Sequence, residues 1–379
     1  MKSIKYLGFF LAATVSATVW LCALSGASQT AIQLQTDPPL NQVIPATAPT
    51  QLTLQAVDSN QTPLANANIQ LRLLTPAKSP WFTSDFPIVE GTTLLELESA
   101  APSGKLQFEQ TLPIRGTYRA EVRVTPQLAG AFEPFEQVIS FAIPENPVKY
   151  RNLAILAVIL LLVGLGGGWV LGGNQSPQAG EIAPQPARML LSGVTVLAIV
   201  VLLTINMSAE LAESHAGNPM FPTAPATPTV QQAQNVQVQL AGATESTVGQ
   251  LATQTVKITD AATDEPLPDV AVKLQVVGLE DNKPVFNFIG QSNQTGELTW
   301  QQQLFDGAPH QVTATVAPIA GSPRQFSPIR VAHRVEVEGI APPLYIRFIS
   351  LVYFTAFFTA SLIAGIVLRR HWLQQSGSA

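Results

Sequence analysis

Two hydropathy patterns take turns along this 379-residue chain. One is the long apolar run: Tyr6 to Ala23, Leu153 to Leu171, Met189 to Ile205 and Leu344 to Leu368. At a rise of about 1.5 Å per residue such runs approach the ~30 Å of a bilayer's hydrocarbon core, where unalternating segments satisfy their backbone groups as helices. The other pattern is alternation, as in Leu52, Leu54, Ala56 and in Ile69, Leu71, Leu73, the period of a strand with one buried face. It fills residues 28–147 and returns between Val236 and Val337, and neither region carries a convincing helical period.

The two alternating regions also match each other. Pro63-Leu64-Ala65-Asn66-Ala67-Asn68-Ile69-Gln70-Leu71 pairs with Pro266-Leu267-Pro268-Asp269-Val270-Ala271-Val272-Lys273-Leu274, a tight turn feeding a strand. Gly104-Lys105-Leu106-Gln107-Phe108 lines up with Gly296-Glu297-Leu298-Thr299-Trp300, and the match runs ungapped past Leu112 and Leu304 to Pro126 and Pro318. Anchors kept in one order mark a repeated supersecondary unit. Each unit is preceded by one apolar run and followed by another, so the chain reads helix, sandwich, helix, twice over.

The expected fold is therefore all-β in its polar regions, two antiparallel sandwiches, joined to transmembrane α-helices. Residues 1–27 form a signal peptide or an N-terminal anchor. The first sandwich covers 28–147, a membrane helix 152–172, a short cytoplasmic loop 173–188, a second membrane helix 189–206, a Pro-rich linker 207–230, the second sandwich 231–342, a last membrane helix 344–368 and a cytoplasmic tail 369–379. Lys2 and Lys5, Arg188, and Arg369-Arg370 fall on one side of the bilayer in this scheme, as the positive-inside rule requires, while Lys149 and Arg151 break it locally. Both sandwiches then face the periplasm or a lumen. Ser25-Gly26-Ala27 resembles a signal-peptidase site, and Met189 to Ile205 holds the place in the second unit that the N-terminal run holds in the first, so cleavage and anchoring stay open alternatives. Gly164, Gly168 and Gly172 recur every four residues, the spacing that lets membrane helices approach closely.

Composition narrows the function classes. Only 12% of residues are charged against about a quarter in ordinary globular proteins, and the net charge of −5 offers no basic excess for nucleic acid. The single cysteine, Cys22, sits in the first apolar run, which leaves the sandwiches without disulfides or thiolate metal sites.

The turn-strand motif together with Gly116-Thr117-Tyr118-Arg119-Ala120-Glu121-Val122-Arg123-Val124 resembles bacterial immunoglobulin-like domains of the YtkA-like and carboxypeptidase-regulatory types, over about 75 residues of each sandwich. The resemblance implies a seven-stranded Ig-like sandwich used for binding or spacing. YtkA-like domains often carry methionines and histidines suspected of handling copper, and both sandwiches here lack methionine.

Candidate chemistry is sparse. His215 and Met220, with Met207 nearby, place imidazole and thioether ligands outside the cytoplasm, a set that suits copper. His310 occupies the place of Tyr118 and His333 lies in an alternating strand, both positions that read as structural. Asp58, Asp260 and Asp264 stand beside the Pro-Leu motifs, where aspartate caps turns. No Gly-x-Ser-x-Gly elbow is present. The first unit has 41 residue steps from Pro63 to Gly104 where the second has 30 from Pro266 to Gly296, and the extra stretch holds Trp81, Phe82 and Phe86. Aromatic residues of this kind anchor interfaces, and core packing explains them equally well. The sequence thus predicts a non-enzymatic bilayer protein without a cofactor, displaying its sandwiches to another membrane or envelope protein; the alternative is copper handling through His215 and Met220.

Overall fold

The computed structural model describes residues 30–79, 84–173, 184–190, 192–193, 229–268, 270–319, 321–322 and 324–376. The N-terminal run, most of the run from Met189 to Ile205, and the Pro-rich linker as far as residue 228 lie outside this set.

The first β unit comprises β1 (Ala31–Asp37), β2 (Pro49–Val57), β3 (Ala67–Leu74), β4 (Thr93–Ala101), β5 (Lys105–Thr111), β6 (Gly116–Pro126) and β7 (Phe135–Ile143). Helix α1 (Pro147–Leu171) follows. The second unit comprises β8 (Thr229–Ala233), β9 (Val236–Gly242), β10 (Glu245–Thr247), β11 (Leu251–Asp260), β12 (Val270–Gly278), β13 (Pro284–Gln291), β14 (Glu297–Gln303), β15 (His310–Pro318) and β16 (Ile329–Glu338), and leads into α2 (Leu344–Ser376). The alternation sorts residues as read: Leu52, Leu54, Ala56, Ile69, Leu71 and Leu73 are all buried, and one hydrophobic cluster runs through both units.

Where the sequence suggests two separate sandwiches, the strands form two continuous eight-stranded sheets. One runs β1-β2-β5-β13-β12-β15-β16-β10, the other β7-β6-β3-β4-β14-β11-β9-β8. Each sheet therefore crosses from one unit to the other. The seams are short: β5 meets β13 with Phe108 opposite Phe288, and β4 meets β14 with Leu97 opposite Trp300. Pairing these edge strands removes exposed N–H and C=O rows that would otherwise invite aggregation. Polar contacts fasten the seams, with Asn287 Nδ2 donating to Glu109 Oε2 at 2.7 Å and Thr111 Oγ1 donating to the Pro284 carbonyl at 3.0 Å.

The matched turns behave alike in the two units. Gly104 and Gly296 both adopt positive φ, at 66° and 67°, and a Cβ at either would collide with backbone, at Leu64 of the preceding turn for Gly104 and at Ile258 of β11 and Leu267 of the preceding turn for Gly296. Glycine alone meets both demands.

Both helices leave the same end of the sandwich, α1 from the end of β7 and α2 from the end of β16. Asn146 caps α1 by accepting the Val148 N–H, and Pro147 opens it, so the helix starts earlier than the apolar run and takes Lys149 and Arg151 into its first turns. At its other end α2 continues through Arg369, Arg370 and His371 to Ser376, past the apolar run, because nothing in that stretch breaks a helix. Both helices are long and apolar enough to cross a membrane.

α1 and α2 pack side by side and parallel along the glycine row. A Cβ on Gly164 would come within 2.6 Å of Ser361 Cβ, one on Gly168 would overlap the Leu362 carbonyl, and one on Gly172 would lie 2.9 Å from Arg369 Cβ. Gly365 answers from α2, where a Cβ would overlap the Leu165 carbonyl. Close backbone approach of this sort is what holds helices together in lipid, where hydrophobicity gives no preference for protein over tails. Beyond the seam, Arg369 lies between Trp169 and Trp372, 5.0 and 4.8 Å from their ring centres.

Gly168→Ile is expected to force the helices apart and destabilise the pair by about 2 kcal/mol, the scale of an overpacked contact. Gly166→Ile, whose added Cβ meets nothing within 4 Å, is expected to leave it intact. Thermal unfolding of the two variants in detergent, followed by the helical signal, checks the contrast.

Candidate functional site

Of the residues singled out in the sequence, Trp81, Phe82, His215 and Met220 lie outside the described set. Phe86 is described and half-buried, and its ring packs edge-on against Phe305 of the second unit, with centroids 5.3 Å apart. The insertion between β3 and β4 thus reaches across the junction of the two units, at the end from which the helices depart.

That end is tightly tied together. Thr75 Oγ1 donates to the Val89 carbonyl at 2.6 Å and accepts the Thr92 N–H at 3.0 Å, which folds the insertion back on itself. Gln303 Nε2 donates to Thr92 Oγ1 at 2.9 Å, linking the base of the insertion to the second unit. Asp85 pairs with Lys149 in the first turn of α1. Lys149 also lies 3.4 Å from Glu145, which holds Arg115 at 2.9 Å. On the other helix, Arg347 Nε donates to the Pro342 carbonyl at 2.7 Å. Sandwich and helices are therefore joined by charge-assisted bonds as well as by the chain.

Between the insertion and the start of α1 lies an open cavity of about 780 Å³. Glu90, Arg115, Arg119, Ser84, Ser140 and Tyr150 contribute to its walls. Glu90 is 6% exposed, and one of its oxygens accepts the Ser84 N–H at 2.9 Å. A second concavity, about 530 Å³, lies on the outer face of the sheet that contains β3, β4, β6, β7 and β14. Its charges are matched in place: Arg72 sits 3.1 Å from Glu96 and 3.7 Å from Glu121, and Arg123 3.4 Å from Glu136. Cross-strand pairs of this kind are ordinary on a solvated sheet face. Among the described residues no group of three or more His, Cys, Asp or Glu side chains converges as a metal cluster.

Of the three aspartates beside the matched turns, Asp58 and Asp260 cap them through their side chains, whereas Asp264 takes part through its backbone, at φ 57° with its N–H donating to the Asp260 carbonyl at 2.9 Å. Asp58 Oδ1 accepts the N–H groups of Asn60 and Thr62, both at 2.8 Å, and Asp260 Oδ1 accepts those of Ala262 and Thr263 at 2.9 and 3.2 Å. The two backbone bonds hold the Asp260 carboxyl below its ordinary pKa.

Tyr118 and His310, matched in the sequence, both fasten a loop from inside the core. The Tyr118 hydroxyl donates to the Ile114 carbonyl at 2.7 Å, and burial pushes its pKa up. His310 is 2% exposed, with Nδ1 at 2.7 Å from the Ala308 carbonyl. A carbonyl only accepts, so Nδ1 carries the hydrogen. Burial pushes the His310 pKa down, outweighing the opposite pull of the Ala308 bond and of Asp306 and Asp281. His333 is lowered by burial as well. A histidine whose folded pKa lies below its unfolded value adds stability at pH above that unfolded value, and the stability drains away as pH falls below about 6.5. The melting temperature is expected to drop between pH 7.5 and pH 5, and His310→Tyr, which installs the matched residue of the first unit, is expected to flatten that dependence. Melting curves of both forms at the two pH values decide it.

No protein-family model matches the chain, and neither does any curated protein sequence. Among solved structures it is similar to the adhesin InvE of Yersinia pseudotuberculosis, at 14% identity and a TM-score of 0.20, over 83% of this chain and 61% of that one. The chain thus spans less than two thirds of that adhesin. It is also similar to the D0-D1 domain of intimin, at 11% identity and a TM-score of 0.20 over 80% and 97% of the two chains. A copper-bound variant of FetP from uropathogenic Escherichia coli is matched at 9% identity and a TM-score of 0.23, over 31% of this chain and all of that one. At this level of superposition none of the three assigns a family or a function to this chain.

Proposed function

We propose that this chain is a non-enzymatic, membrane-anchored scaffold that holds a fused pair of immunoglobulin-like units on the non-cytoplasmic side of a bacterial or internal membrane, for docking another membrane or envelope protein. The observation that carries the reading is the parallel α1–α2 pair, which leaves one end of the sandwich and is tied to it through Lys149, Asp85, Glu145 and Arg115. Two linked helices entering a bilayer from one end would hold the sheets upright at a fixed height, which suits display rather than free reach.

Three further features support it. Arg369, Arg370 and His371 collect beyond the apolar part of α2, where the positive-inside rule expects the cytoplasm. The correspondence between the units, in motif order, in the paired glycine turns and in the Tyr118–His310 lock, is what a duplicated helix-sandwich-helix gene segment would leave behind. The 11 extra residues of the first unit then mark where the copies have diverged, with Phe86 bracing the insertion against Phe305 and the rest of the insertion left for a partner surface.

The topology is tested by cysteine labelling in a Cys22→Ser background. Ile289→Cys, on an outward position of β13 that is 69% exposed, is expected to react with a membrane-impermeant maleimide from the non-cytoplasmic side of intact membranes. Gln374→Cys is expected to react only after permeabilisation. The reverse pattern, or equal reaction of both, would sink the reading.

A further inference from the structure

We infer that the cavity between the β3–β4 insertion and α1 is a binding site for the headgroup of a zwitterionic aminophospholipid, with the ammonium on Glu90 and the phosphate between Arg119 and Arg115. The inference rests on the membrane-spanning reading of α1. If α1 enters the bilayer shortly after Pro147, then the cavity, whose wall includes Tyr150 in the first turn, opens at the level of the headgroups.

Glu90 is the observation that asks for a ligand. Its neighbour Glu145 is fully matched: it pairs with Arg115 at 2.9 Å and lies 3.4 Å from Lys149, and its other bond is from the Asn146 N–H at 2.9 Å. Glu90 is as deeply buried, yet among the described residues it receives one backbone N–H and no cation. Residues 80–83, which adjoin the cavity in sequence, are Pro-Trp-Phe-Thr and include no basic side chain. A buried carboxylate left without a countercharge is costly, and a cation from outside the chain removes that cost. Ser84 Oγ, at the same wall, is also buried without a partner.

The arginines set the other half of the ligand. Arg119 reaches Glu121 through a single contact at 3.3 Å and is 56% exposed, so its guanidinium is available for a phosphate. Glu90 and Glu145 balance Arg115 and Arg119, which disfavours a simple anion, and a neutral glycolipid would bring Glu90 only hydroxyl donors. A headgroup that carries an ammonium and a phosphate a few bonds apart answers both sides. The second unit has only residues 279–283 between β12 and β13 in place of the insertion, so the site belongs to the first unit alone.

The test uses the full chain in nanodiscs that contain phosphatidylethanolamine, phosphatidylglycerol and a galactolipid in equal parts, with retained lipid identified by native mass spectrometry after mild detergent extraction. Selective retention of phosphatidylethanolamine is expected. Glu90→Gln, which keeps an acceptor for the Ser84 N–H, and Arg119→Gln, at an exposed position, are each expected to cut that retention about tenfold, the loss of one charge-assisted bond. Soluble glycerophosphoethanolamine at millimolar concentration is expected not to displace the lipid. Equal retention of the three lipids, or a preference that neither variant moves, overturns the site; displacement by the soluble headgroup overturns its assignment to lipid. A chain that fails to enter the discs overturns the membrane reading and this site with it, whereas entry without selective retention overturns the site alone.

Discussion

The reciprocal pairing of β4 with β14 and of β5 with β13 is the constraint on which the rest of the architecture depends. In strand order β4 corresponds to β13 and β5 to β14, so each unit offers its neighbour the same two edges and receives the same two in return. This is the isologous logic of a symmetric dimer, realised within one chain. It closes one shared core, and it also brings the ends of β7 and β16 to the same end of the molecule. The helices that follow must then run parallel and adjacent, and the glycines of α1 and α2 are what adjacency requires of the sequence.

The seams are not built for stability alone. Gln110 and Gln302 hold matched positions beside the two junctions and are almost wholly buried. Gln110 donates to the Thr111 carbonyl at 2.9 Å, but its Oε1 has no partner, and both polar atoms of the Gln302 side chain lack one. Orphaned amides of this kind each cost about 1–3 kcal/mol. Their presence at both seams fits a junction in which register matters: a slip by one residue would turn Phe108 and Trp300 outward along with the rest of the buried face.

Much of this was legible in the sequence because it follows from period. Alternation located the strands, and the four-residue glycine spacing located the helix seam. Asp58 and Asp260 are the turn caps their places beside the Pro-Leu motifs suggest, though Asp264 is not, and His310 is the structural strand residue its match to Tyr118 suggests, buried rather than half-buried. The fusion of the two units was not legible, because pairing between edge strands depends on backbone groups that every residue carries, and the seams are only three residues long. A weak signal existed in Gln110 and Gln302, polar residues in the apolar phase of matched strands. The extension of the helices past the apolar runs was not legible for a related reason: hydropathy marks where an apolar surface stops, whereas α1 begins at its Asn146 cap and α2 continues to Ser376.

Near-symmetry has a consequence for where function can reside. Matched positions in the two units, such as the glycine turns, the buried face and the loop locks, answer to the same structural demands and are already accounted for by folding. The β3–β4 insertion has no such account. Thr75, Val89 and Thr92 hold its own shape, it reaches the second unit through Phe86 and Gln303 and α1 through Asp85, and it leaves Glu90 buried with no cation among the described residues. A loop that served only to brace the sandwich on its helices would have no use for that last feature, since the Asp85–Lys149 and Arg115–Glu145 pairs already brace it. Glu90, buried with one backbone N–H donor and no cation among the described residues, is therefore the feature of the insertion that neither bracing nor the shared core explains.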